Sequence, residues 1–176
     1  AGYGSIAIKD GLQKSGHTVK LISKYQSHNI IDNNVIPYYS ELATFLRSLF
    51  RRLRNRVISA TIKNYHIKYH FCDTIQFLPS KNPFKIIKLA GFIPDAIVIF
   101  FAPEFINYWD MFLLHKICKC PIFMCTPDMY PFTGICHFSG SCNKFEEFCG
   151  TCPAIHSKFK YDISWLVMKT KCSLAE

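Results

Sequence analysis

Two continuous apolar runs constrain the fold of this 176-residue chain more than any other feature. The segments 96–101 and 121–125 are short and apolar, as expected of strands that are buried on both faces. The segment 105–119 between them has helical periodicity. Its predicted buried stripe consists of Trp109, Phe112, Leu113 and Ile117. Strand, helix and strand in this order predict the α/β class, with a Rossmann-like parallel sheet and helices on both faces.

The start of the chain predicts a second unit of this kind. Gly2 and Gly4 predict a tight turn, Ser5 a helix N-cap, and Gly16 the end of that helix. The segment 17–23 follows with the alternation of a strand. A glycine turn at a helix start presents backbone N–H groups to a phosphate or a sugar, and a tight loop is the alternative interpretation.

The middle of the chain is more polar and more basic. The segment 25–40 predicts a loop, 41–63 an amphipathic helix with arginines on one side, 69–78 a short strand and 83–90 a short helix. The net charge of +9 favours an anionic partner such as phosphate, lipid or nucleic acid. The basic helix either packs on its own domain with the arginines in water or lies on an anionic membrane surface.

The remaining composition favours one globular domain over residues 1–176. The apolar region 86–106 contains charged residues and prolines, so the sequence predicts no membrane span. The opening AGYGS indicates that the true start of the protein is missing. Without a signal peptide, the nine cysteines predict reduced thiols or a metal rather than a disulfide framework.

Four cysteines concentrate in the loop 128–153, which follows the second apolar run. Their spacing is C-x5-C-x6-C-x2-C, at Cys136, Cys142, Cys149 and Cys152. Thiolates at such spacing favour a structural, tetrahedral zinc site, although the first arm is longer than usual, and His137 or His156 can replace a sulfur. A redox pair, an iron–sulfur cluster or buried free thiols are the alternatives.

Asp128 is the best-placed ionisable residue, because it directly follows the predicted strand 121–125. In parallel sheets, ligands collect beyond the carboxyl ends of the strands. A structural interpretation makes Asp128 an Asx turn or a helix cap. A functional interpretation makes it a carboxylate that binds a sugar hydroxyl or acts as a base, with His137 as the other candidate.

The loop also resembles a known family. DMYPFTGICHFSGSC, then CGTCP, then Asp162-Ile163-Ser164 closely resemble a loop of bacterial family-4-like glycosyltransferases of cell-wall and exopolysaccharide synthesis. The opening AGYGSIAIKDGLQKSGHTVKLIS resembles the same family's glycine-rich first loop, helix and second strand. The resemblance covers 1–24 and 95–164. One departure is Pro127, which stands where the family often has a histidine.

The resemblance implies an enzyme of the GT-B fold, in which two Rossmann-like domains flank the active site. This chain would be the acceptor-side domain, and a C-terminal domain beyond it would hold the nucleotide-diphosphate sugar. The acceptor would be a glycan or a lipid-linked sugar, and the enzyme would act in the cytoplasm or at the inner face of the membrane. Residues 1–176 alone are then expected to have no transferase activity.

The resemblance also implies roles for particular residues. Asp128 and His137 are the catalytic candidates. The substrate-binding candidates are Gly2, Gly4, Thr133 and Gly134. The chemistry would need no metal, so zinc at the four cysteines would be a structural staple.

Two other functions remain open from the sequence. A zinc-stapled, basic nucleic-acid-binding module would explain the charge and the cysteines, but the arginines of 41–63 lie far from the cysteines along the chain. No nucleic-acid partner is therefore expected. An inactive relative of the glycosyltransferases would explain Pro127.

Overall fold

The computed structural model describes residues 2–25, 32–40, 78–100 and 105–175. The predicted basic helix 41–63 and nearly all of the predicted strand 69–78 lie outside these residues. The described helices are α1 (Gly2–Lys14), α2 (Pro83–Ala90), α3 (Tyr108–Cys118) and α4 (Ile163–Ala175). The described strands are β1 (Leu21–Ser23), β2 (Val35–Pro37), β3 (Ile97–Phe100) and β4 (Ile122–Cys125).

The strands form parallel pairs, which confirms the α/β class. β1 pairs with β2, with Leu21 opposite Val35, and β3 pairs with β4, with Ile97 opposite Ile122. Within the described ranges these are two separate pairs rather than one continuous sheet. β2 lies in the segment predicted as a loop, so that prediction is wrong at residues 35–37. The strand is only three residues long and sits between polar residues, which hid it in the sequence.

The predicted glycine turn at the N-terminus is wrong, because α1 already begins at Gly2. Gly4 lies in the first turns of the helix, and Ser5 is a buried helical residue rather than the N-cap. Lys9, one turn further on, is also buried and pairs with Asp32.

The predicted end of α1 is confirmed at Gly16, whose φ of 88° is in the left-handed region. The N–H of His17 donates to the carbonyl of Leu12 at 3.1 Å, and the N–H of Gly16 donates to the carbonyl of Gln13 at 3.0 Å. Glycine tolerates this conformation without a steric penalty, and the two bonds satisfy carbonyls at the helix end.

α3 turns a different face inward from the one predicted. The buried residues are Asp110, Met111 and Leu114 instead of the predicted stripe of Trp109, Phe112, Leu113 and Ile117. The Asp110 carboxylate accepts the N–H groups of Ser80 at 2.7 Å and Lys81 at 2.8 Å. It also completes a capping box with Asn107. These hydrogen bonds hold the Asp110 side chain in the interior, so the side of α3 that carries Asp110 faces inward.

One face of β3 and β4 is exposed, so the prediction of burial on both faces is wrong there. Val98 and Phe123 lie opposite each other in the register, and both are exposed. None of the helices in the described ranges has the length and apolar character needed to cross a membrane.

The segment after β4 packs onto α4, a helix that was not predicted. It passes through short 3₁₀ turns at Tyr130–Phe132, Lys144–Glu146 and Pro153–Ile155. A small buried core joins this segment to α4 through Ile135, Cys136, Cys152, Ala154 and Val167. α4 in turn packs against α3. The loop 128–153 is therefore held between the end of β4 and α4.

Candidate functional site

Asp128 and His137, the two catalytic candidates, are in direct contact. Asp128 Oδ2 lies 2.7 Å from His137 Nδ1. The N–H of Tyr130 donates to Asp128 Oδ1 at 2.9 Å, so the Asx turn is also present. The N–H of Met129 donates to the carbonyl of His137 at 2.9 Å, which draws the two sides of the loop together. The structural and functional interpretations of Asp128 are thus compatible.

The histidine carries most of the accessible surface of this pair. Its side chain is 19% exposed, whereas that of Asp128 is 7% exposed. The ring of Tyr130 packs on the ring of His137 at 5.4 Å between centroids. A carboxylate that holds one ring nitrogen fixes the orientation and tautomer of an imidazole. Such a pair can exchange a proton with a hydroxyl group or form a hydrogen bond with it.

Thr133 and Gly134 pack inside the protein. Thr133 is buried, and its hydroxyl bonds both the carbonyl and the N–H of Cys136. Gly134 lies so close to α4 that a Cβ at this position would stand 2.2 Å from the carbonyl oxygen of Ser164. These contacts explain the residue types by packing, and the predicted substrate-binding role of both residues stays a prediction.

Gly2 and Gly4 belong to a different part of the fold. They lie in α1, which packs against β1, whereas Asp128 and His137 follow β4. A Cβ at Gly4 would meet open space. The structure therefore gives Gly4 no packing reason, and the substrate-binding role of Gly2 and Gly4 stays a prediction.

Side chains from α3 and α4 hold the backbone of residues 130–133. The ammonium of Lys171 in α4 donates to the carbonyl of Tyr130 at 2.6 Å and to that of Thr133 at 2.9 Å. The hydroxyl of Tyr108 in α3 donates to the carbonyl of Pro131 at 3.1 Å, and burial raises the pKa of Tyr108 to about 12. Three carbonyls of this short segment are thus held by two side chains.

Sequence reasoning missed Lys171. Its signal is the spacing of Ser164, Val167 and Lys171, which are the buried residues of α4 and recur at the helical interval. A lysine on the buried side of an amphipathic helix needs hydrogen-bond partners, so this spacing marks it as a residue with a specific role.

Asp162 joins the cysteine loop to the start of α4. Its Oδ1 accepts the N–H groups of Ser164 at 2.9 Å and Trp165 at 3.2 Å, as an N-cap does. Its Oδ2 accepts the N–H of Cys152 at 2.8 Å. Burial disfavours the charged carboxylate, but the hydrogen bonds outweigh burial, and the pKa of Asp162 lies below its usual value.

The eight cysteines among the described residues are free thiols. Cys136 and Cys152 are buried, and their thiols share a hydrogen bond. This bond and burial both raise the pKa of Cys136. In Cys152 the same bond outweighs burial, which acts in the opposite direction, and lowers the pKa to about 7. The backbone N–H of Gly134 donates to Cys149 Sγ at 3.1 Å.

The four cysteines of the loop 128–153 are donors that suit zinc, but their side chains are not arranged as a zinc site. Four thiols are the preferred donors of structural zinc. Within the ranges that the structure describes, however, no three His, Cys, Asp or Glu side chains form a group able to hold a metal ion. His137, considered as a replacement ligand, is paired with Asp128 instead. Zinc therefore stays a prediction from the donor types.

No protein-family model, curated protein or solved structure matches the chain. The resemblance of the loop to glycosyltransferases consequently depends on the quoted residues alone.

Replacing Gly134 by Ala is expected to destabilise the protein by about 2–3 kcal/mol, since the new Cβ forces the turn and the backbone of α4 apart. Urea unfolding measures the change. Gly11→Ala is the matched control, because Gly11 lies inside α1 with open space around its Cβ. The control is expected to stabilise by about 0.5–1 kcal/mol. Equal stability of Gly134→Ala and the wild type would contradict the packing described for Gly134.

Proposed function

We propose that this chain is the acceptor-side domain of a glycosyltransferase. The enzyme moves a sugar from a nucleotide-diphosphate donor to a glycan or lipid-linked acceptor in cell-wall, capsule or exopolysaccharide synthesis. The supporting observation is the 2.7 Å contact between Asp128 and His137 just beyond the carboxyl end of β4. That edge of a parallel strand is where α/β proteins bind their ligands.

In this proposal the pair handles the acceptor hydroxyl. The imidazole of His137 accepts a hydrogen bond or the proton from the hydroxyl, and Asp128 keeps the ring in the required orientation. As the acceptor oxygen bonds to the donor sugar, the nucleoside diphosphate leaves. Pro127, which stands where the family often has a histidine, is exposed beside this pair. His137 would then supply the imidazole of the site.

The finer architecture belongs to the same proposal. The parallel pairs β1–β2 and β3–β4 would be parts of one Rossmann-like sheet, the N-terminal half of a GT-B fold. A C-terminal domain would hold the nucleotide sugar. The reaction would take place in the cytoplasm or at the inner face of the membrane, where the basic segment 41–63 would contact anionic lipid.

The four cysteines would serve this site as a structural zinc staple. Tetrahedral thiolate zinc would fix the loop 128–153 without taking part in the chemistry. Its ligands would be Cys136, Cys142, Cys149 and Cys152.

Metal analysis of the purified chain is expected to find a single bound zinc ion per chain. Cys152→Ser is expected to abolish zinc binding, whereas Cys172→Ser, at an exposed thiol outside the loop, is expected to retain it. Absence of zinc from the wild type, or zinc retained in Cys152→Ser, would rule out the staple.

A saccharide titration tests the proposed function. The chain labelled with ¹⁵N-histidine is titrated with octyl β-glucoside and octyl β-galactoside below their micellar concentrations, as simple lipid-linked sugars. We expect the His137 signals to shift in a saturable manner. His137→Gln is expected to lose saccharide binding, whereas His115→Gln is expected to retain it, because His115 lies on an exposed part of α3 and bonds the carbonyl of Cys120.

Two results would contradict the proposal. One is the absence of any saturable shift, and the other is undiminished saccharide binding by the His137→Gln variant, measured by isothermal titration calorimetry. A parallel titration with a short DNA or RNA duplex tests the alternative of a nucleic-acid-binding module. Tight binding that weakens steeply with salt would favour that alternative.

A further inference from the structure

Lys171 places a buried positive charge next to Tyr130, the residue that contacts both Asp128 and His137. Its side chain is 2% exposed. An ammonium group taken out of water is costly unless hydrogen bonds and opposite partial charges replace its hydration. The carbonyl oxygens of Tyr130 and Thr133, at 2.6 and 2.9 Å, supply part of that replacement. The location of this charge is therefore tied to the conformation of one short backbone segment.

The ammonium also contacts the ring that packs on the histidine. Lys171 Nζ lies 3.6 Å from the centroid of the Tyr130 ring, a close cation–π contact. The same ring packs on His137 at 5.4 Å between centroids. The backbone N–H of Tyr130 donates to Asp128. Tyr130 therefore touches both members of the catalytic pair, and Lys171 holds Tyr130 by its ring and by its carbonyl.

We infer that Lys171 is a positioning residue. By holding the ring and the carbonyl of Tyr130, it sets the ring of His137 against the carboxylate of Asp128. The catalytic meaning of this geometry rests on the proposed function, whereas the geometric link itself does not. Lys171 belongs to α4 and Asp128 follows β4, so the inference gives α4 a role in the site that its sequence position does not suggest.

Replacement of Lys171 by Met tests the inference. Methionine keeps most of the apolar stem but removes the donor, so the carbonyls of Tyr130 and Thr133 lose their bonds to the ammonium. The readout is the proton on His137 Nδ1, which must be present for the ring to donate to a carboxylate. In ¹⁵N-histidine-labelled protein, this hydrogen-bonded proton gives a downfield signal. We expect the signal to disappear in Lys171→Met.

Lys169→Met is the matched control, because Lys169 is an exposed lysine of the same helix whose ammonium lies over the Trp165 ring. We expect it to keep the signal. Circular dichroism on each variant shows whether the fold is retained. A folded Lys171→Met protein that keeps the Nδ1 proton signal would overturn the inference.

Tyr130→Leu decides the matter if Lys171→Met does not fold. This change removes the ring between the ammonium and the histidine but leaves the backbone carbonyl in place. We expect the same loss of the His137 signal, and an unchanged signal would overturn the inference. The saccharide titration of the wild type is read separately. Loss of the proton signal in the variants, together with no saccharide binding by the wild type, would support the positioning role and reject the proposed function. An unchanged proton signal in the variants, together with saccharide binding by the wild type, would overturn the positioning role and support the proposed function.

Discussion

The buried ammonium of Lys171 is the physical constraint on which the candidate site depends. A charged group in the interior requires hydrogen-bond partners, and a folded loop can supply them only with its backbone in a defined conformation. The carbonyls of residues 130 and 133 meet that requirement. Any conformation that turned these carbonyls away would leave the ammonium without those bonds. The charge therefore selects the loop conformation as well as stabilising it.

Several further contacts hold the loop 128–153 against α3 and α4, and most of them involve backbone atoms. Gly134 allows the backbone of the turn to approach that of Ser164, and Asp162 caps α4 while accepting the N–H of Cys152. Tyr108 holds the carbonyl of Pro131 from α3. These contacts fix the backbone of the loop that presents the paired Asp128 and His137.

The sequence predicted the parts of the fold that depend on local patterns. The apolar runs 96–101 and 121–125 predicted the strands β3 and β4, and α2 and the glycine end of α1 were predicted as well. Periodicity and capping signals of this kind lie within a few neighbouring residues. The start of α1 and the buried face of α3 were not predicted. The burial of Ser5 and the hydrogen bonds from Ser80 and Lys81 to Asp110 depend on segments that are distant in sequence, so no local pattern reveals them.

The candidate site was predicted in part for the same reason. Asp128 and His137 were both named from their places in the loop, but the contact between them depends on how the loop closes. Lys171 and α4 were missed, although Asp162 before an apolar run and the spacing of Val167 and Lys171 were available signals. The relative placement of the four cysteines of the loop also depends on tertiary packing, and sequence spacing alone left their purpose open.

Native-state hydrogen exchange tests whether the loop 128–153 and α4, which are joined through Lys171, Gly134 and Asp162, open as one cooperative unit. The N–H of Met129 bonds His137, that of Cys152 bonds Asp162, and that of Leu166 bonds the carbonyl of Asp162 within the first turn of α4. The three amides are expected to exchange with the same opening free energy and the same dependence on denaturant. Exchange of Met129 and Cys152 through a much smaller opening, with Leu166 still protected, would contradict this expectation.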